Sequence, residues 1–161
     1  MASYGPNEAD VRTIIERGRR LTIAEAESFL NYTDWSMAPE YRAAFNAVQQ
    51  ASLAHNRGHW YRAAYDAFQQ AIAMSSGGRA LGQSSPVALI TETVTATVVR
   101  DVLAPVYFEY LMRPWHEVVE LGQIRPRPPG RYIDFSAPSS AAGGCLVSLL
   151  FGLATVGLLR W

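Results

Sequence analysis

Residues 39–76, PEYRAAFNAVQQASLAHNRGHWYRAAYDAFQQAIAMSS, decide the fold class, because they predict two helices in direct succession. Over 40–57, apolar and small side chains recur at helical spacing: Tyr41, Ala44, Phe45, Val48, Ala51 and Ser52. Gly58 is expected to end this helix, and a second apolar face follows over 59–76: Trp60, Ala64, Ala67, Phe68, Ala71 and Ile72. Gly77-Gly78 is a strong stop signal. Because almost no chain separates the helices, we expect an antiparallel hairpin with closely approaching backbones.

The residues before this stretch predict two more helices. Asn7 is a suitable N-cap for a helix that continues to about Arg17, with acidic residues in its first turn. Thr22 and Glu25 have the spacing of a capping box at the start of a short helix that extends to about Asn31.

The stretch 87–103, VALITETVTATVVRDVL, is ambiguous. Its β-branched residues favour a strand. Its apolar residues nevertheless keep a helical period, and no second strand candidate exists to pair with it, so we predict a helix. Pro105 and Pro114 are expected to divide the following residues into two short helices closed by Gly122. The sequence therefore predicts an all-α, small helical-bundle domain of five to seven helices over residues 1–121.

The charges divide the chain into three regions. The formal net charge is zero, from 14 basic and 14 acidic residues, and every basic residue is arginine. Residues 1–121 carry ten arginines against thirteen acids, residues 122–140 carry three against one, and the remainder carries Arg160 alone. The balance argues against nucleic acid as a partner, and the absence of lysine excludes Schiff-base and Walker-lysine chemistry. A single cysteine excludes an internal disulfide.

An uncharged stretch, AAGGCLVSLLFGLATVGLL, occupies residues 141–159. As a helix it would span roughly 28 Å, close to the ~30 Å hydrocarbon core of a bilayer. Residues 141–161 are therefore predicted to form a transmembrane tail helix, with Arg160 and Trp161 at the membrane interface. Gly144, Ser148 and Gly152 form one small-residue stripe that favours helix–helix packing in the membrane, although glycine is also common in membrane spans. The alternative is an apolar helix buried inside a soluble assembly.

Residues 122–140, GQIRPRPPGRYIDFSAPSS, predict an extended linker because four prolines block helix formation. Arg125, Arg127 and Arg131 are expected to lie against anionic headgroups at the membrane interface. Because these arginines outnumber the one beyond the span, the N-terminal domain is expected on the cytoplasmic side of the inner membrane. The N-terminus has neither the basic nor the apolar region of a secretory signal, so we expect a tail-anchored protein.

Few residues point to chemistry. His55 and His59 have the i, i+4 spacing of metal ligands on one helix face, with Asp66 as the nearest carboxylate, but the expected break at Gly58 favours surface histidines. The Gly-rich residues 75–79, SSGGR, lack the Lys-Ser/Thr of a phosphate loop and are interpreted as a flexible connector. No nucleophile, base and oxyanion donor occur together, so neither enzymatic activity nor a cofactor is expected.

Arg100 and Asp101 are adjacent charges within an apolar segment. Neighbouring side chains on a helix point in different directions, and we expect at least one of the two to form a partly buried structural ion pair.

Several motifs resemble a loose group of actinobacterial and actinophage helical proteins with alanine-rich helices, a "VRDL" segment and a terminal "PW" element. They lie within residues 20–121: LTIAEAESF at 21–29, RAAFNAVQQA at 42–51, YRAAYDAFQQA at 61–71, VVRDVL at 98–103 and YFEYLMRPWHEVV at 107–119. This sequence lacks the repeated Trp-Asp-Ala units of that group. The resemblance implies a helical fold and a source but no activity. A tetratricopeptide-like order at 58–74 occurs once, whereas an array needs about three copies.

These observations favour a non-catalytic scaffold or adaptor, tail-anchored in the bilayer, whose helical domain binds a protein partner or forms a homo-oligomer. One alternative is a structural subunit of a phage particle or large complex, with the apolar helix buried between protomers. Another is a metal-binding module or enzyme that uses His55 and His59.

Overall fold

The computed structural model describes residues 3–82, 85–121 and 124–126, and the regular secondary structure among these residues is helical, with no strand. The α-helices are α1 Glu8–Arg19, α2 Ile23–Phe29, α3 Thr33–Met37, α4 Pro39–Ala54, α5 Gly58–Met74, α6 Ser76–Leu81, α7 Ser85–Thr93, α8 Thr95–Val98 and α9 Pro105–Val119. Two 3-10 turns, Gly5–Asn7 and Leu30–Tyr32, precede α1 and α3. The all-α prediction is confirmed. The predicted transmembrane helix at 141–161 and nearly all of the linker lie outside the described residues.

The short helix α8 forms the centre of the bundle. Its residues Thr95–Val98 are completely buried, and it contacts α1, α4, α5, α7 and α9. The Thr95 hydroxyl donates to the Glu92 carbonyl oxygen at 2.6 Å, so this polar group is satisfied locally. The helix prediction for this ambiguous stretch is confirmed, but α8 ends at Val98 and turns follow over 99–103. A helix surrounded on all sides needs no polar face, which explains why its periodicity was weak.

The helices α4 and α5 do not form the predicted close hairpin. Helix α4 packs most extensively against α9, α5 packs most extensively against α1, and the contact between α4 and α5 is sparse. The turn between them uses Asn56 in the left-handed region, with φ of 52°, and Gly58 begins α5 instead of ending α4. The two helices are separated because α8 packs against both of them.

The Gly-rich residues 75–79 form the N-cap and first turn of helix α6, with Ser75, Gly77 and Gly78 buried, so their interpretation as a flexible connector is wrong. Ser75 caps α6 by accepting a hydrogen bond from the Gly78 N–H at 3.0 Å, and the Gly77 N–H donates to the Leu21 carbonyl at 2.9 Å. A Cβ at Gly77 would lie 2.4 Å from the Thr22 carbonyl oxygen. Glycine is therefore required here for the close approach of α6 to the start of α2.

Helix α9 continues through Pro114, so the predicted division into two short helices is wrong. Phe108, Leu111 and Trp115 lie on its buried side and carry it across the proline. The helix ends at Val119, where Glu120 adopts a left-handed conformation with φ of 57° and its N–H bonds to the Trp115 carbonyl. Packing of this continuous apolar face outweighs the backbone hydrogen bond that proline cannot donate.

The core is built around Trp115, which has no exposed surface. Its ring centroid lies 5.3 Å from that of Phe29 on α2 and 5.4 Å from that of Phe68 on α5. The indole N–H donates to the Thr93 hydroxyl of α7 at 2.9 Å. Trp115 thus joins four helices, and the aromatic residues of widely separated segments meet at this side chain.

The capping box predicted at the start of α2 is confirmed. The Glu25 N–H donates to the Thr22 hydroxyl at 3.2 Å, and the Thr22 N–H donates to the Glu25 carboxylate at 3.0 Å. Arg17 of α1 also pairs with Glu25, which connects the two helices. Burial opposes ionisation of Glu25, but the Thr22 and Arg17 contacts outweigh it and lower the pKa of the carboxyl.

Candidate functional site

The adjacent residues Arg100 and Asp101 lie in two different ion pairs, both of them with distant segments of the chain. Arg100 binds the Asp10 carboxylate of α1, and its guanidinium also lies 5.9 Å from the Phe108 ring centroid. Asp101 binds Arg57, the residue immediately before α5. These two contacts tie the turn after α8 to α1 and to the beginning of α5.

Around Asp101 there is a buried polar network that holds the bundle together. Arg57 donates to both carboxylate oxygens of Asp101, from Nη1 at 2.5 Å and from Nη2 at 2.8 Å, and also to the Val98 carbonyl at 3.0 Å. The Asn7 side-chain amide donates to the same carboxylate at 2.6 Å. Burial disfavours the charged carboxylate, but these hydrogen bonds and the Arg57 charge outweigh it and lower the pKa of Asp101 to about 2.

This network changes the role that the sequence suggests for Asn7. Asn7 occupies the N-cap position of α1, as predicted, but its side chain makes no capping hydrogen bond and reaches Asp101 and Val98 instead. Arg57 was not singled out from the sequence at all, because its partner is 44 positions away. We assign the network a structural role, since its arginine is 7 % exposed and its donors are directed at acceptors within the bundle, the Asp101 carboxylate and the Val98 carbonyl.

The predicted weak metal candidates His55, His59 and Asp66 are exposed and lie along the surface of the turn and α5. His59 packs against Trp60, with ring centroids 4.6 Å apart. Among the described residues, no group of three or more histidine, cysteine, aspartate or glutamate side chains is placed to hold a metal ion.

An aromatic surface lies where the chain leaves the bundle. The rings of Trp35 and Tyr110 are stacked at 5.5 Å with an interplanar angle of 17°, and Tyr32 packs edge-on against Trp35 at 5.9 Å. Tyr110 donates from its hydroxyl to the Trp35 carbonyl at 3.3 Å. We call this surface the exit face and define it by Tyr32, Trp35, Val106, Tyr110, Arg113 and Arg125.

A groove of about 350 Å³ forms part of the exit face, between one side of α9 and the last described residues, Arg125 and Pro126. Val106, which is 66 % exposed, provides apolar surface in it. Arg113 lies over Tyr110, with 5.2 Å from the guanidinium carbon to the ring centroid. The chain enters this groove directly from the core, because Ile124 is only 1 % exposed.

The charged groups of the exit face are of both signs. Glu109 and Glu117 line the groove together with Arg113 and Arg125. Tyr32 donates from its hydroxyl to Glu117, and burial together with this hydrogen bond raises the pKa of Tyr32 to about 12. An aromatic centre with a mixed charged rim is typical of a protein-binding surface.

His116 is half-buried at the same groove. Burial lowers the pKa of His116, and the positive charge of Arg125 lowers it further. The imidazole is therefore held in its neutral form near pH 7.

Arg125 is the only predicted membrane-interface residue among the described residues, and it is exposed. The others, Arg127, Arg131, Arg160 and Trp161, lie outside them, as do the packing residues Gly144, Ser148 and Gly152. No helix in the described ranges combines the length and apolar character that a bilayer crossing requires.

No protein-family model matches the sequence, and no curated protein or solved structure is significantly similar to it. The resemblance to actinobacterial and actinophage helical proteins stays a prediction.

Proposed function

We propose that the chain is a membrane-anchored scaffold or adaptor, in which residues 141–159 span the bilayer and the helical domain binds a protein partner through the exit face. The observation that carries the proposal is the uncharged 19-residue stretch that follows an arginine- and proline-rich linker. The all-helical bundle and the mixed charges of its exit face are compatible with a binding role.

The position of the exit face supports a partner close to the membrane. The described chain leaves the bundle through this face at Pro126, and 14 residues, 127–140, separate it from the uncharged stretch. At full extension these residues reach at most about 50 Å. A partner bound to the exit face would therefore be held close to the bilayer surface.

Fractionation of cells tests the anchor. We expect the full chain in the membrane fraction and a chain ending at Pro126 in the soluble fraction, because only the former contains the uncharged stretch. Replacing Leu150 and Leu153 with arginine is expected to release the full-length chain as well, since each charge at the centre of a span costs about 2.5–3.5 kcal/mol on insertion scales. The matched control replaces Ser139 and Ser140, which precede the stretch, with arginine.

Detergent-free behaviour of the full chain separates the proposal from its main rival. If the full-length protein is soluble without detergent and forms oligomers that dissociate on removal of 141–161, the anchor proposal is wrong and the assembly-subunit alternative is supported.

Protease treatment of sealed inverted and right-side-out vesicles reports the orientation of the chain in the membrane. We expect cleavage of the helical domain only where the cytoplasmic side faces the protease.

Site-specific photo-crosslinking tests the exit face. A crosslinking amino acid at position 106 is expected to give discrete covalent adducts in membranes, whereas the same group at position 53 is expected to give none. Leu53 is a matched control because it is 72 % exposed and lies on α4, outside the exit face. Arg113→Asp should reduce the adducts about tenfold if the rim charge contributes to binding. Equal labelling from both positions would contradict a specific role for the exit face.

A further inference from the structure

A second cavity lies between α4 and α5, where Glu92 of α7 forms part of its wall. Its volume is about 350 Å³. Phe45 from α4, together with Tyr61 and Tyr65 from α5, contributes aromatic surface, and Glu92 from α7 contributes a carboxylate. Gln49, Gly58, Arg62 and Asp66 complete the lining. We call this cavity the Glu92 cleft.

The Glu92 carboxylate has an unusual environment for a charged group. It is half-buried, and among the described residues its side-chain hydrogen bond comes from the Tyr41 hydroxyl at 3.4 Å, which is long for an O–H donor. Among the described residues, no arginine or histidine forms an ion pair with it. Burial accordingly raises the pKa of Glu92, and burial together with the nearby Glu92 charge raises the pKa of Tyr41 and Tyr65. A half-buried carboxylate of this kind is stabilised by a cation that enters the cleft.

The aromatic residues of the cleft also favour the binding of a cation. The negative faces of phenylalanine and tyrosine rings attract ammonium groups, and several rings around one carboxylate are a recurring way of binding them. Tyr61 is half-buried and packs against the hydrophobic core, so its ring is positioned before any ligand arrives. Tyr41 links the Glu92 carboxylate to the aromatic stack, with its ring centroid 6.2 Å from that of Phe45.

We propose that the Glu92 cleft binds the ammonium group of an organic cation, with Glu92 as the counter-charge and Phe45, Tyr61 and Tyr65 as the aromatic wall. The cleft lies at the small end of the usual range for ligand pockets, which fits a compact amine or quaternary ammonium group. A free small amine and the end of a lysine side chain share this chemistry. This inference is independent of the membrane anchor and of the exit face.

Titration of the full-length protein in an uncharged detergent tests the proposal. The probes are choline, its uncharged isostere 3,3-dimethyl-1-butanol, and N-acetyl-lysine amide, followed by saturation-transfer NMR. We expect choline to bind with a Kd of about 1 mM and at least about tenfold more tightly than the isostere. Tighter binding of N-acetyl-lysine amide than of choline would identify a partner's lysine as the source of the ammonium group, and the reverse order would identify a free amine.

Four variants assign the binding to the cleft. Glu92→Gln and Tyr65→Leu are each expected to weaken choline binding about tenfold. Arg62→Gln is expected to retain or strengthen it, because a competing cation at the cleft is removed. Glu27→Gln removes an exposed carboxylate of α2 outside the cleft and is expected to change nothing.

Circular dichroism establishes that each variant is folded. If Glu92→Gln does not fold, choline binding to the Tyr65→Leu variant tests whether the ligand occupies the cleft. Equal affinity for choline and the uncharged isostere would overturn the proposal. Unchanged affinity in the folded Glu92→Gln or Tyr65→Leu protein would do the same, as would the absence of choline binding at about 10 mM.

Discussion

Replacing Trp115 with alanine is expected to lower the free energy of unfolding by about 3–5 kcal/mol, the usual cost of deleting a large aromatic side chain from a core. Trp115 is fully buried and contacts Phe29 and Phe68, so its loss leaves a cavity among α2, α5 and α9. The substitution also leaves the Thr93 hydroxyl without the indole N–H that it accepts. Urea unfolding of the full-length protein, followed by circular dichroism, measures the change.

Two further substitutions make the Trp115 result specific. Trp115→Phe keeps an aromatic ring but removes the N–H donor, so we expect a smaller loss, with about 1 kcal/mol of it from the hydrogen bond. Met37→Ala removes a side chain that is 75 % exposed and is expected to change stability by less than about 0.5 kcal/mol. A loss below about 1 kcal/mol for Trp115→Ala would mean that this residue is not at the centre of the core.

Asp101→Ala is expected to be similarly damaging, at about 3–5 kcal/mol, because it leaves the Arg57 guanidinium buried without its counter-charge. The Arg57→Met variant alone leaves the carboxylate without its main partner and is expected to be destabilising as well. The double variant Arg57→Met with Asp101→Ala is expected to be more stable than the sum of the single losses predicts. That non-additivity in a double-mutant cycle is the signature of direct coupling.

The same pair predicts how stability depends on pH. The pKa of Asp101 is lowered from 3.8 to about 2 in the folded protein, so the folded state binds this proton less readily than the unfolded state does. The resulting stabilisation, about 2 kcal/mol, is fully present above about pH 4 and is lost as the pH falls towards about 2. In Asp101→Asn this part of the acid dependence should disappear, whereas Asp66→Asn, at an exposed position of α5, should retain it. If the free energy of unfolding depends on pH in the same way for wild type and Asp101→Asn, the pairing of Asp101 with Arg57 is contradicted.

Local sequence patterns predicted the helices, because capping and apolar spacing act over a few residues. The capping box of Thr22 and Glu25 is the clearest example. Patterns of this kind do not contain the information that α5 packs against α1 and α4 against α9. The alanine-rich faces of α4 and α5 fit many partners, and α8 packs against both helices.

The two wrong predictions, a flexible connector at residues 75–79 and a helix break at Pro114, have a common physical cause. Gly77 and Pro114 are usually read as helix breakers from local propensity, yet tertiary contacts override that propensity at both positions. Gly77 allows the backbone of α6 to approach the Thr22 carbonyl, and Pro114 lies within a helix whose apolar side is buried.

Only some residues of the candidate sites can be predicted from the sequence. Arg100 and Asp101 could be singled out because charges inside an apolar segment need partners. Their partners Asp10 and Arg57 could not, since each lies far away along the chain and is one of many charged residues. The Glu92 cleft also brings together residues from three helices, and no short motif marks it.

Extraction of isolated membranes with alkaline carbonate distinguishes a chain that crosses the bilayer from one that adheres to its surface or to other proteins. For the full-length protein we predict retention in the membrane pellet after carbonate treatment and release only by detergent, because residues 141–159 lie within the hydrocarbon region. Quantitative release of the full-length protein into the carbonate supernatant would contradict the membrane anchor.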